Sequence, residues 1–150
     1  MEPNQEKYES YKRNFERLNK ALKNNFYFEA IVVEYAVMED RMQSILSYEG
    51  NEIKPKQNEY ISITRKKNRI KKLSEKKNSL IGKYYSEALF EKINDWIKDR
   101  NALFHALLRQ KYNEDAIKNI AEVGFSLSRE LINLSKKYKR AVINQKNNFE

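Results

Sequence analysis

The sequence predicts an all-α protein, an up-and-down bundle of about five helices, and three observations lead to this class. Only three glycines and two prolines occur in 150 residues, which is too few for the turns of a many-stranded sheet. Apolar residues recur every three or four positions through most of the chain, the spacing of a buried helix face. Hydrophobic residues make up 40% of the sequence, enough for one sizeable core. With no internal repeat, residues 1–150 are expected to form a single domain.

The first two helices are predicted from this apolar spacing. One is expected from Asn4 to Asn24, where the pair Asn24-Asn25 interrupts the pattern. The second is expected from about Tyr27 to Tyr48, and its apolar residues occupy nearly every face. Such a helix is typical of the centre of a bundle.

The rest of the chain is predicted as one loop and three further helices. Residues 49–59 hold a glycine and a proline among polar residues and are expected to form the loop. A third helix with a thin apolar stripe follows, and Gly82 is expected to end it. A fourth helix is predicted over Ser86–Arg109. The fifth begins after Asn113, a good N-cap residue, and Gly124 within it predicts close approach of a neighbouring helix.

The composition excludes several kinds of site. Without cysteine there is no disulfide, no thiolate nucleophile and no Cys-ligated metal, and a single histidine excludes His-clustered metal sites. We therefore expect neither a metal nor a cofactor. No apolar run reaches the roughly 18 residues of a membrane span. The first residues also lack the apolar stretch of a signal peptide, so a soluble cytoplasmic protein without membrane partners is expected.

Positive charge is concentrated in one part of the chain, residues 54–77, called here the basic segment. It holds ten basic and two acidic residues, and therefore eight of the nine excess positive charges. Such a concentration attracts polyanions, of which nucleic acid is favoured over an acidic protein, although a solvated helix face remains the simpler interpretation. The side chains expected to contact a nucleic-acid backbone are Lys66, Lys67, Arg69, Lys71 and Lys72.

The fourth predicted helix carries an arginine on its apolar side. At about 100° per residue, the apolar residues between Leu89 and Leu108 fall within an arc of about 140°, and Arg100 lies close to its middle. Arginine cannot lose its proton and is costly to bury alone, so it needs either an acidic partner or an opening to a site. Asn101 and His105 lie just off the stripe and, four residues apart, are neighbours on one face.

Two interpretations of this arrangement remain open. In the structural one, Arg100 forms a salt bridge with a carboxylate of the second helix, for which Glu39 is the best candidate, and His105 is an ordinary surface histidine. In the functional one, these side chains form a site.

The segment from Arg100 to His105, with the sequence RNALFH, resembles the signature of the HEPN superfamily. That signature is an arginine followed by a polar residue, often asparagine, with a histidine four to six residues after the arginine. The setting is also similar, because the motif lies in a long helix late in an all-α chain and another long helix follows. The resemblance implies a HEPN-like fold and a homodimer in which two motif helices face each other across one cleft.

The resemblance also implies an activity, metal-independent cleavage of RNA by attack of the 2′-OH to give a 2′,3′-cyclic phosphate and a 5′-OH. His105 would be the acid/base group, Arg100 the cation on the scissile phosphate and Asn101 the residue that orients the site. Glu39 would hold Arg100 in place. RNA and a second copy are then the expected partners, with an antitoxin or a nucleotidyltransferase-like protein as a further one in a toxin–antitoxin or phage-defence setting.

Two other functions stay open. A HEPN-like dimer without catalysis would hold RNA or an acidic protein through the same helices. A basic helical protein outside the family would serve a structural or DNA-associated role, although no helix-turn-helix pattern supports direct reading of bases.

Overall fold

The computed structural model describes residues 3–109 and 113–148, which form six helices and contain no strand. The predicted all-α class is therefore confirmed, and the additional element is a short fourth helix. The helices are α1 (Pro3–Lys23), α2 (Tyr27–Tyr48), α3 (Ile63–Ser74), α4 (Leu80–Tyr84), α5 (Glu87–Ala106) and α6 (Glu114–Asn147). Within the described ranges, none of these helices has both the length and the apolar character that crossing a membrane requires.

α2 lies at the centre of the fold, as its apolar composition predicts. It packs against α1, α3 and, most extensively, α6. Residues on several of its faces are fully enclosed, among them Ile31, Met38, Ile45 and Leu46. α5 rests on α6 and also touches α3. The neighbouring surfaces of α2, α3 and α5 therefore meet on one side of the molecule.

The prediction that Gly82 ends the third helix is wrong. α3 ends at Ser74, one residue after the last buried member of its apolar stripe, Leu73. The polar turn that follows includes Asn78 with φ at 59°, and the Ser79 hydroxyl then caps α4 by accepting from the Gly82 N–H at 3.3 Å. Gly82 lies inside α4, where a Cβ would come within 2.5 Å of the Ser74 carbonyl oxygen, so glycine allows the two short helices to pack closely.

The starts of α5 and α6 follow their capping residues. The Ser86 hydroxyl accepts from the Leu89 N–H at 3.2 Å, and the Asn113 side chain accepts from the Asp115 N–H at 2.8 Å. The predicted N-cap at Asn113 is confirmed. α5 ends at Ala106, a few residues earlier than predicted, and a turn follows it.

Candidate functional site

α5 places Arg100 on its inner side, as the helical spacing predicts. Trp96, Ile97 and Leu103 of the same side are buried in the core. Arg100 is only partly buried, because its long side chain reaches along the boundary between α5 and α2. Its guanidinium therefore lies between the core and the solvent.

Aromatic rings and an amide surround the guanidinium of Arg100. Its central carbon lies 4.3 Å from the ring centroid of Tyr35 on α2 and 4.5 Å from that of Phe104, one turn further along α5. One terminal nitrogen donates to Asn101 Oδ1 at 3.0 Å, whereas the buried Nε has no hydrogen-bond partner within the described chain. A delocalised guanidinium stacks well on aromatic faces, so the rings hold Arg100 without cancelling its charge.

The expected pairing of Glu39 with Arg100 is wrong. Glu39 instead forms an ion pair with Lys66 at 3.1 Å and accepts a hydrogen bond from the Tyr60 hydroxyl at 2.8 Å. The reason is that α3 packs beside α2 and brings an ammonium group directly to this carboxylate. Glu39 reaches Arg100 only indirectly, since the Tyr60 and Tyr35 hydroxyls lie 3.5 Å apart and the Tyr35 ring carries the guanidinium.

Asn101 and His105 both lie on the exposed surface of α5, one turn apart. The Asn101 side-chain oxygen is occupied by Arg100, which links two of the three predicted catalytic residues. His105 lies one residue before the end of α5, and its imidazole has no hydrogen bond to another described residue. One chain therefore presents Asn101 and His105 on the open surface of α5, with the guanidinium of Arg100 at the edge of that surface.

Two lysines of the basic segment are buried, so the prediction that they contact a nucleic-acid backbone directly is wrong. Lys66 and Lys67 are 8% and 5% exposed. They share the inner face of α3 with Ile63 and Ile70, three or four residues away on either side. Lys67 donates to the Asn94 side chain on α5, and burial, followed by repulsion from a neighbouring lysine, lowers the pKa of its ammonium group.

The other three predicted contact residues remain closer to solvent. Lys71 is partly buried and forms an ion pair with Glu87 at 3.1 Å. Arg69 and Lys72 are exposed and form no ion pair with another described residue. Some cations of the basic segment therefore bind α2 and α5 and hold α3 in place, whereas others face the solvent.

A buried acid, Glu34, was not singled out from the sequence. Its side chain is fully enclosed, and neither carboxyl oxygen has a hydrogen-bond partner within the described chain. Burial raises the pKa of Glu34 to about 9, so the group is neutral at pH 7. A Cβ on Gly124 would lie 2.3 Å from its Oε1 and 2.7 Å from the Trp96 Nε1, which bears out the predicted close approach at that glycine.

The described residues include no group of three or more His, Asp or Glu side chains placed to hold a metal ion. Comparisons with protein-family models, with curated proteins and with solved structures found no match to this chain. The HEPN resemblance therefore stays a prediction, and the site is defined by its own geometry: a ring-held arginine, an asparagine bonded to it and an exposed histidine.

Proposed function

We propose that the chain is a metal-independent endoribonuclease of the HEPN type that cleaves RNA as a homodimer. The observation that carries this proposal is the state of Arg100. Its guanidinium is partly buried against two aromatic rings, and no carboxylate within the described chain neutralises it. A cation kept in place without a counter-ion suits an anionic ligand, and Asn101 and His105 lie next to it.

Arg100 binds the scissile phosphate. Stacking on Tyr35 and Phe104 fixes the plane of the guanidinium. A fixed fork of N–H donors can take two phosphoryl oxygens at once and stabilise the charge that grows on them in the transition state. Asn101 bonds to one terminal nitrogen and limits rotation of the fork.

His105 transfers the protons of the reaction. Removal of the 2′-OH proton allows O2′ to attack the phosphorus, and protonation of the leaving 5′-oxygen completes the cleavage. A histidine can serve at either end because its unperturbed pKa is close to neutrality. Each chain has one histidine, so a symmetric dimer supplies the second.

The surface around the motif suits a second copy of the chain. Leu108 is 95% exposed just beyond α5, and Val32 on α2 is 53% exposed. Exposed apolar side chains beside a charged motif are common at protein interfaces. None of the main surface grooves of the described chain is lined by Arg100, Asn101 or His105. Pairing of two α5 helices would form a cleft around the motif.

Arg69 and Lys72 attract the RNA backbone. Both are exposed on α3, which lies beside α5. Contacts of this kind are independent of sequence and position the strand without reading its bases. They also make the affinity for RNA fall as the salt concentration rises.

A second candidate function is an RNA-binding dimer without catalysis. It is favoured by the state of His105, which is exposed and has no described partner to orient its imidazole. A general base normally needs such an orienting group. In this alternative Arg100 and the exposed cations of α3 still bind RNA.

The test is incubation of a mixed RNA pool in excess EDTA with the wild type, His105→Ala and Lys98→Ala. Lys98 is the matched control, since it is exposed on α5 and lies outside the motif. We expect the wild type and Lys98→Ala to leave 2′,3′-cyclic phosphate ends and His105→Ala to leave the RNA intact. Retention of cleavage by His105→Ala would remove the catalytic assignment. RNA binding without cleavage by any of the three would favour the second candidate.

A further inference from the structure

A basic groove runs between α1 and α6, away from the α5 motif. Its volume is about 590 Å³, within the range of ligand-binding sites. It reaches α2 at Arg41, two residues from Glu39 and so about 200° around the helix from it. No carboxylate occurs among the described residues that line it. Its cations are Lys7, Lys12, Arg41, Arg129, Lys136 and Lys139.

Only two of these cations have an acidic partner in the described chain. Asp40, just outside the groove, pairs with Arg41 at 2.6 Å and with Lys7 at 3.8 Å. Lys12 and Lys136 lie on opposite sides, one on α1 and one on α6, and both are exposed. The groove therefore keeps an excess of positive charge.

Lys139 carries part of this charge into the groove. Its ammonium group is partly buried and donates to the Ser44 hydroxyl at 2.6 Å, a neutral partner. Burial is the main cause that lowers the pKa of Lys139; repulsion from Arg41 and Lys7 adds to it, and the Asp40 carboxylate acts in the opposite direction. An anionic ligand in the groove would relieve this repulsion.

Aromatic rings lie among the cations. Tyr8 is 67% exposed at the edge of the groove. Tyr11 and Phe15 lie deeper, stacked with ring centroids 6.4 Å apart. Cationic grooves with an available aromatic face are typical of sites for single-stranded nucleic acid, in which phosphates contact the cations and bases stack on the rings. An acidic peptide would use the charges but not the open face of Tyr8.

We propose that the groove between α1 and α6 binds a short stretch of single-stranded nucleic acid, with Tyr8 stacking on a base and the flanking cations contacting phosphates. This surface is separate from the α5 motif and does not require that the motif be catalytic. Binding can therefore be tested with DNA, which lacks the 2′-OH that the proposed cleavage needs.

The first test is the affinity of a fluorescent single-stranded oligodeoxynucleotide for two double variants of equal charge change. Lys12→Glu with Lys136→Glu alters both sides of the groove. Lys20→Glu with Lys118→Glu alters the same two helices outside it, also at exposed positions. We expect the groove variant to bind about tenfold or more weakly and the control variant to stay within about twofold of the wild type. Equal losses in both would mean a response to net charge and would overturn the proposal.

The second test concerns Tyr8. Tyr8→Ala is expected to weaken binding by about fivefold or more, whereas Tyr8→Phe keeps the stacking face and should bind like the wild type. Photocrosslinking to a 5-iododeoxyuridine oligonucleotide is expected to label the peptide that contains Tyr8. Labelling confined to α3 or α5 would place the oligonucleotide outside the groove, and equal competition by polyglutamate would favour an acidic peptide; either result would overturn the proposal. Absence of RNA cleavage would leave all these outcomes unchanged.

Discussion

Two cations reach the same side of α2 and have different partners there. Lys66 meets a carboxylate, Glu39, at 3.1 Å. Arg100 meets the faces of Tyr35 and Phe104 and no described carboxylate. A neutralised cation connects two helices, whereas a cation held by rings and a neutral amide keeps a positive field that can attract an anion. The difference separates structural charge from charge available for binding.

Glu34 extends the comparison to an acid without a partner. Like Arg100 it has unsatisfied polar atoms, but it is fully enclosed and can become neutral by holding a proton. Arginine has no such option, because its pKa is too high. Without a partner of opposite charge, the arginine therefore stays charged near the surface, whereas the buried acid becomes neutral.

The largest effect is expected from Arg100→Met. If its charge serves a ligand, RNA cleavage should fall by about 10²–10³-fold, the usual cost of removing a transition-state donor. Methionine still packs against the two rings, so the free energy of unfolding should change by less than about 1 kcal/mol. Single-turnover cleavage and urea unfolding measure the two quantities. A strongly destabilised variant with intact activity would make Arg100 structural.

The second-largest effect is expected from Glu34→Gln, which should remove a pH dependence of the folding stability. The folded-state pKa of about 9 lies above the ordinary value of 4.5 for a glutamate, so the unfolded chain loses this proton first as the pH rises. The contribution of Glu34 to stability is therefore fully present below about pH 4.5 and is lost as the pH rises toward 9. Glutamine has no proton to lose.

The measurement for Glu34 is urea unfolding of both proteins at pH 5 and pH 8. Relative to the wild type, Glu34→Gln should gain roughly 2–4 kcal/mol of stability between these values, at up to about 1.4 kcal/mol per pH unit. Every other ionisable group is present in both proteins and cancels in the difference. If the two proteins differ in unfolding free energy by the same amount at pH 5 and pH 8, Glu34 is ionised in the folded protein.

Gly124→Ala should have a smaller effect on the same group. The added methyl would lie 2.3 Å from the Glu34 Oε1, so either the carboxyl group or α6 must shift. Overpacking of this kind typically costs about 1–3 kcal/mol of stability. In a Glu34→Ala background the same substitution should cost less, as thermal or urea unfolding would show. An equal cost in both backgrounds would assign the strain to Trp96 instead.

The sequence was sufficient where local spacing determines the outcome. It predicted the central α2, the inward position of Arg100 and the cap at Asn113. It also contained an unused signal, since Lys66 and Lys67 occupy the inner face of α3 by simple helical spacing. The partner of Glu39 could not be predicted from helical spacing. It depends on how α3 and α2 lie against each other, and several basic side chains compete for one carboxylate.

The smallest effect is expected from Lys66→Met, the counterpart of the Arg100 substitution. Removal of the ammonium group leaves Glu39 partly exposed and still bonded to Tyr60, so the free energy of unfolding should fall by only about 1 kcal/mol. A double-mutant cycle with Glu39→Gln isolates the pairwise energy, and Lys98→Met, at an exposed position of α5, is the control. RNA cleavage should stay within about twofold of the wild type. A loss as large as that of Arg100→Met would show that pairing with a carboxylate does not separate structural from binding charge in this molecule.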